Sequence, residues 1–517
     1  MDDSTHRAQP RPSLSPRLVT LLIVAVYAVV MVSTNTRFTI LDDESKIIAV
    51  SGHPIIPALR QFLAGEAGHE MHPPATDVLL HLWLVATHFS FFALRIFANL
   101  FFIAGAWVVA KSAGKIAGPA AYFAALILAF VWPFAFQYGR ITGWYCYSFF
   151  LVAWVTWAYL QLLDDRGLRA WLIFAVASLL LVWSNYFGVA ILLLLMADLL
   201  LFQRMLALSR LLPLLAVVAL VALALLPIVS IAVRDMAEFA APAADRFDFK
   251  SEFVTAAFPA FSIFASAAVA PWYLPLSIPI ACAVLALLLA LWFSPGRRWL
   301  VYFLLAMVTL DLSGGMSIKR VLFLLPWLFL SMSVAAASSA SRLPRVAVGA
   351  LAVIVACGWI GIASGGHYAT TNLYEPWGEV AAVVAQDARR GATIVSENPP
   401  FFLYLDYQLG LEADTSDTVD AYLGQAEYRT HGYRILQPAL TQLDAAAFSG
   451  RVVVVNGAGF VGDVQDLTAF NDALRARCQT LGTYRAAPDP AAAFKQRFTK
   501  DVPVLAYRTQ VFWYDCP

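Results

Sequence analysis

The apolar part of the chain begins at residues 17–44, RLVTLLIVAVYAVVMVSTNTRFTILDDE, where a hydrophobic run passes within a few residues into three adjacent acids. A basic segment precedes the run, which resembles a signal peptide at first. The run continues through Val32, Ser33 and Thr34 without a small-x-small cleavage signal. We therefore expect a retained first span, followed by an acidic loop at a membrane surface.

The composition is that of a multi-pass membrane protein. Of the 517 residues, 60% are hydrophobic and only 13% are charged, and the mean hydropathy is +0.70. Soluble domains carry about 25% charged residues. The formal net charge of +1 gives no indication of a nucleic-acid partner.

Runs long enough to cross a bilayer, which takes about 17–25 residues, predict about 11 spans. They lie at 18–34, 93–110, 118–136, 146–163, 170–185, 187–203, 211–232, 272–293, 299–312, 321–337 and 345–363. With the N-terminus in the cytoplasm, the Lys- and Arg-containing turns fall on the cytoplasmic side, as the positive-inside rule requires. The C-terminus then lies outside.

Residues 75–92 are apolar but carry Asp77, His81 and His88. Counting them as a span would invert every later loop. Ionisable groups are costly against lipid and tolerable against protein, so we interpret this segment as a re-entrant or juxtamembrane helix.

This topology predicts a cytoplasmic tail over 1–17, a membrane domain over 18–363 and an extracytoplasmic α/β domain over 364–517. The membrane domain contains a first loop at 36–76 and a long outer loop at 234–271. In the last domain we expect helices at 376–390 and 466–478 and strands at 392–396, 451–456 and 504–514.

Two of the five cysteines, Cys478 and Cys516, lie in the predicted extracytoplasmic domain. An oxidising compartment permits their pairing, so we predict a disulfide, with two free thiols as the alternative. The other three cysteines fall in apolar runs, and none of the five has metal-site spacing.

The first loop carries the acids Asp42, Asp43 and Glu44, which have two interpretations. They form either a solvated face at the start of a helix or a general base with a neighbouring carboxylate. At the end of this loop, Glu70 and His72 precede two prolines. These two residues either belong to a simple turn or line a substrate pocket.

Cationic residues of later predicted outer turns raise a similar choice. Arg140 lies among aromatic residues, and Lys319 and Arg320 precede an apolar run. They are either interfacial anchors or ligands of a lipid-linked phosphate, for which guanidinium geometry is well suited.

The order of short motifs resembles that of the GT-C glycosyltransferases. The similarity is greatest to the bacterial branch related to protein O-mannosyltransferases and to the aminoarabinose and galacturonic acid transferases of lipid A. It covers residues 17 to about 336. The motifs, in chain order, are Asp43-Glu44, Glu70-x-His72-Pro73-Pro74, Gln137-x-x-Arg140, Asn185-Tyr186-Phe187 and Arg320 before Leu325-Pro326. Three of them depart from the family pattern: Glu70 stands where Asp is common, Tyr-Gly replaces Glu-Ala before Arg140, and Asn185 replaces His.

The resemblance implies transfer of one sugar from a polyprenyl-phosphate donor to an acceptor hydroxyl on the extracytoplasmic side of the plasma or inner membrane, in cell-envelope chemistry. It implies catalytic roles for Asp43 as base and Glu44 as its partner, with inversion at the anomeric carbon. The implied substrate-binding residues are Glu70, His72, Gln137, Arg140, Tyr186, Lys319 and Arg320. The acceptor is a lipid, a glycan or a protein. We assign no cofactor or dedicated metal site, although a divalent cation could assist. The alternative is a transporter or flippase of a lipid-linked sugar.

Overall fold

The computed structural model describes residues 15–35, 51, 55–64, 73–87, 91–165, 167–203, 208–240, 249–269, 271, 273–312, 318–338, 343–364, 377–396, 401, 405, 408–409, 427–430, 433–436, 444–456, 464–485 and 510–517. Most of the chain before residue 365 is a bundle of apolar helices. They are α1 Pro16–Asn35, α2 Ile55–Ala64, α3 Ala75–Ala86, α4 Phe91–Val131, α5 Pro133–Tyr138, α6 Trp144–Asp164, α7 Leu168–Val182, α8 Gly188–Leu201, α9 Leu208–Ala240, α10 Phe249–Ala265, α11 Leu274–Trp292, α12 Arg297–Leu312, a 3-10 turn Arg320–Leu324, α13 Leu325–Ala337 and α14 Leu343–Ser364.

Six described helices are long and apolar enough to cross a membrane, and five more are apolar but shorter. The protein is therefore a multi-pass helical membrane protein. Helix α3 has 12 residues, which at 1.5 Å per residue is about 18 Å and too short for a hydrocarbon core of about 30 Å.

Helix α4 consists of two helices joined at a sharp kink. Gly118 has φ 83°, a left-handed conformation that glycine adopts without a Cβ clash, and Pro119 follows it. The two expected runs at 93–110 and 118–136 thus join at residue 118. Residues 111–116, which lie between those two runs, are helical, and the reversal occurs at Ala117 and Gly118.

The turns that connect the helices lie at two separate ends of the bundle. At one, the Arg140 end, Trp144 lies 6.4 Å from Phe323 between ring centroids, and the Arg320 guanidinium lies 5.9 Å from the Phe187 ring. At the other, the Asp198 end, Lys115 pairs with Asp164 and Arg298 pairs with Asp198. The turns expected on opposite sides of the membrane are therefore segregated.

The segment expected as a long outer loop, 234–271, contains helical residues. Helix α9 extends to Ala240, and α10 occupies Phe249–Ala265. The apolar stretch of α10 is shorter than a span and contains Pro259, so the sequence resembled a loop. The first loop likewise contains the short helix α2.

Indole hydrogen bonds join the helices around the Arg140 end. Trp132 Nε1 donates to the Ile263 carbonyl oxygen at 2.7 Å, and Trp359 Nε1 donates to that of Val131 at 2.7 Å. Such interhelical bonds are worth about 0.6–2 kcal/mol in a membrane protein. They fix α5, α10 and α14 next to one another.

The C-terminal region contains one mixed sheet of six strands in the order β2-β3-β1-β4-β6-β5. The elements are α15 Trp377–Arg389, β1 Thr393–Ser396, β2 Glu427–Thr430, β3 Tyr433–Leu436, a 3-10 turn Ala445–Ala447, β4 Gly450–Asn456, α16 Val464–Arg477, β5 Gln479–Arg485 and β6 Gln510–Cys516. Strand β1 pairs in parallel with β3 and β4, and β6 is antiparallel to β4 and β5. The α/β class expected for this region is confirmed.

Cys478 and Cys516 form the expected disulfide, with their Cα atoms 4.4 Å apart. It joins the residue after α16 to the end of β6. Both half-cystines are buried beside Phe448 and Tyr514 in the apolar layer under the sheet.

Candidate functional site

The centre of the candidate site is Arg140, which is fully buried in the turn between α5 and α6. Its Nε donates to the Phe136 carbonyl oxygen at 3.0 Å, and its Nη1 donates to Thr34 Oγ1 at 2.9 Å. The guanidinium also lies 4.2 Å from the centroid of the Phe136 ring. The side chain is thus held in one orientation rather than extended to a membrane surface.

The local sequence explains this turn. Pro133 begins α5, where its missing N–H costs nothing. Gly143, with φ 132°, allows the sharp reversal into α6 at Trp144. These two residues place Arg140 between two helices instead of inside one.

A second buried cation, Arg95, was not singled out from the sequence. Its Nη1 donates to the Arg140 carbonyl oxygen at 2.9 Å. Burial lowers the pKa of Arg140 to about 9, and the like charge of Arg95 adds to this effect. Arg95 therefore adds positive charge close to the Arg140 turn and holds the backbone of that turn.

The acidic loop begins beside Arg140. Thr34 and Asn35 are the last residues of α1, and buried Asn35 Nδ2 donates to Asn99 Oδ1 at 2.7 Å. The described chain resumes at Ser51, whose Oγ donates to Asp77 Oδ1 at 3.3 Å. The chain on each side of residues 36–50 is therefore anchored by hydrogen bonds to other helices.

Helix α3 contributes its polar residues to this second anchor. His81 Nδ1 lies 2.8 Å from the Ser51 carbonyl oxygen. The Ala75 N–H donates to the Trp183 carbonyl oxygen at 2.9 Å, which ties the start of α3 to the turn before α8. Asp77 and His81 thus have a position next to the first loop that the sequence did not reveal.

Four site residues expected from the sequence, Asp43, Glu44, Glu70 and His72, lie outside the described residues. Pro73 and Pro74 are described and buried. The roles of the four remain predictions.

The other expected residues lie at the Arg140 end. The ring centroids of Tyr186 and Phe187 are 5.5 Å apart, and Phe187 also contacts the guanidinium of Arg320. Lys319 and Arg320 are half-buried at the start of the 3-10 turn, which packs against α6. Cations from two distant parts of the sequence therefore flank the N-terminal end of α6.

Gln137, the remaining expected residue, lies one turn before Arg140 and is fully buried. Ser266 Oγ donates to its Oε1 at 2.7 Å. Ser266 follows α10 and has φ 71°, which is rare for a residue with a side chain. No sequence pattern marked this serine.

Among the described residues, no group of three or more His, Cys, Asp or Glu side chains is placed to hold a metal ion.

A further polar cluster, also missed by the sequence analysis, lies at the Asp198 end. The buried Asp198 carboxylate of α8 accepts from Tyr159 of α6 and from Arg298 and Tyr302 of α12. Gln203 Nε2 donates to it as well, at 3.3 Å. The carboxylate is fully engaged, and it ties three helices together.

No protein-family model matches the sequence, and no curated protein matches it significantly. Similar solved structures include ArnT from Cupriavidus metallidurans in the apo state and bound to undecaprenyl phosphate. Each is 13% identical with a TM-score of 0.49, over 97% of this chain and 98% of that chain. The arabinofuranosyltransferase AftD from Mycobacteria is 16% identical with a TM-score of 0.45, over 98% of this chain and 40% of that chain. All three are distant similarities.

Proposed function

We propose that the protein is a membrane glycosyltransferase of the GT-C type that its motifs resemble. It transfers one sugar from a polyprenyl-phosphate donor to an acceptor hydroxyl on the extracytoplasmic face of the plasma or inner membrane. The observation that carries the proposal is the contact between Thr34 and Arg140 at 2.9 Å. It supports an acidic loop that begins beside a buried cation.

The reaction needs a base for the acceptor and a positive environment for the leaving group. Asp43 takes the hydroxyl proton as the acceptor oxygen bonds to the anomeric carbon, and Glu44 orients it. The bond from that carbon to the phosphate oxygen breaks on the opposite face, so the configuration inverts. Polyprenyl phosphate leaves with the bonding electron pair.

Arg140 and Arg320 stabilise the charge that grows on the departing phosphate. Preorganised cations in a site with little water stabilise such charge more strongly than water does. Arg95 supports this role because it adds positive potential next to Arg140 and holds its backbone oxygen. Tyr186, Lys319 and the residues Glu70 and His72 complete the proposed substrate contacts.

The purified protein, incubated with radiolabelled polyprenyl-phosphate sugars and a membrane extract, should move label to a lipid, glycan or protein product. Catalysis predicts free polyprenyl phosphate in step with product. If label instead crosses a vesicle bilayer without a change in its covalent attachment, the protein transports its lipid and the transferase proposal is wrong.

A further inference from the structure

Gln137 presents a buried donor that no described side chain uses. Its Nε2 atom has no hydrogen-bond partner among the described residues, and Gln137 is fully buried. An amide group withdrawn from water without a partner destabilises the folded protein. Most buried polar groups are paired, so this one calls for a ligand atom or a water.

Ser266 sets the direction in which that donor points. Its Oγ accepts from the Ala268 N–H at 3.0 Å and lies 2.7 Å from Gln137 Oε1. With one lone pair used, the hydroxyl proton needs an acceptor, which Oε1 supplies. This orientation turns the Gln137 NH₂ group away from Ser266.

Ser266 is held in this place by an unusual backbone. Its φ of 71° lies in the left-handed region, where a side chain costs energy unless the surroundings impose it. Its N–H donates to the Ser262 carbonyl oxygen at 2.8 Å, which closes the last turn of α10. The strained turn places the Ser266 hydroxyl next to Gln137 Oε1.

Gln137 is in the last turn of α5, and Arg140 follows two residues after the end of that helix. They are three residues apart, and Gly139 between them keeps a right-handed helical conformation with φ −69°. Side chains at this spacing are neighbours on a helix. The fixed amide donor and the buried guanidinium can therefore serve one ligand.

We propose that Ser266 is a positioning residue, which orients the Gln137 amide so that Nε2 donates to a phosphate oxygen of the polyprenyl-phosphate donor beside Arg140. The inference rests on the proposed function and extends it to a residue outside the sequence motifs. The Gln137 amide is an uncharged hydrogen-bond donor. It would therefore orient the phosphate group, while the cationic side chains attract it.

The test measures binding of undecaprenyl phosphate to purified protein in detergent. Ser266→Gly keeps the left-handed backbone without strain and removes the hydroxyl together with its Cβ, so Kd should rise about tenfold. Gln137→Glu replaces the donor with a carboxylate oxygen and should weaken binding further. Ser262→Ala is the matched control, because this buried hydroxyl of α10 has no partner in the described structure; its Kd should stay within about twofold.

A double-mutant cycle separates positioning from a structural role. In a Gln137→Leu background, Ser266→Gly should change Kd by less than about twofold, because the residue through which it acts is gone. Thermal unfolding of each variant in the same detergent confirms folding. Equal weakening by Ser266→Gly in both backgrounds, or no weakening in the wild-type background, overturns the positioning role while leaving the function standing. If wild-type protein fails to bind undecaprenyl phosphate, the proposed function itself is wrong.

Discussion

Arg140 Nη1 donates a hydrogen bond to Thr34 Oγ1 at 2.9 Å across 106 residues of sequence. This contact brings the end of the first helix, from which the acidic loop continues, to a buried guanidinium. The acidic loop that carries the proposed base, Asp43, therefore begins at the Arg140 end of the bundle.

Asp43→Asn should strongly reduce sugar transfer, because an amide group cannot take the proton from the acceptor hydroxyl. We expect a loss of about 10²–10⁴-fold in kcat, the usual contribution of a general base. The radiolabel transfer assay measures it, and Asp42→Asn on the preceding residue is the control. Normal turnover by Asp43→Asn would remove this residue from the mechanism.

Arg320→Ala should impair use of the donor more than use of the acceptor, because we propose that its guanidinium binds the donor phosphate. We expect KM for the donor to rise about tenfold or more, in line with a charged hydrogen bond worth about 1.5–3 kcal/mol. Arg297→Ala, a cation stacked on Trp292 at the opposite end of the bundle, is the control. Equal changes in donor and acceptor KM would contradict the assignment.

Donor binding should weaken at alkaline pH. Burial lowers the pKa of Arg140 to about 9, so the guanidinium is charged below that pH and loses charge as the pH rises through it. A phosphodiester donor keeps its charge over this range. A titration of donor Kd between pH 7 and 10 should show an increase in the wild type that is absent in Arg140→Gln. A parallel rise in both proteins would show that another group titrates.

Asp198→Ala should destabilise the protein strongly. The substitution removes the carboxylate that accepts hydrogen bonds from two tyrosine hydroxyls and from Arg298. The Arg298 side chain is one-third exposed, so water can replace part of its lost ion pair. We expect about 2–4 kcal/mol of lost stability. Thermal unfolding in detergent measures it. Asp164→Asn is the control, since the Asp164 side chain is 65% exposed and its pair with Lys115 should be worth less than about 1 kcal/mol.

Loss of the Cys478–Cys516 disulfide should lower the stability of the C-terminal sheet by about 2–4 kcal/mol. Cys516→Ser and treatment with reductant should produce the same decrease in unfolding temperature. Cys282→Ser, at an exposed free cysteine of α11, should have little effect. Insensitivity of wild-type protein to reductant would contradict a stabilising bridge.

The sequence predicted the elements whose signals are local and strong. Most apolar runs became helices, and the helix expected at 376–390 is α15, Trp377–Arg389. The strand expected at 451–456 is β4, Gly450–Asn456. Long hydrophobic patterns and helix ends follow from residue type alone.

Features that depend on distant contacts were missed. Strands β2 and β3 have four residues each, and β5 is largely polar, so none shows a clear alternation. Arg95 lies in an apolar helix, and its hydrogen bond to the Arg140 backbone forms only in the folded turn. Ser266 is ordinary in sequence, and its backbone conformation is set by its neighbours. The local pattern of one sequence does not show which distant residues will contact each other.

The Asp198 cluster has a consequence for drug design and for the interpretation of remote mutations. The cluster joins α6, α8 and α12. At their other ends, α6 begins four residues after Arg140, α8 begins two residues after Tyr186, and α12 ends at Leu312. Rigid helices convert a small tilt at one tip into displacement at the other. We therefore expect that a compound that separates Tyr302 from Asp198 would change the distance between Arg140 and Arg320 without contacting either residue.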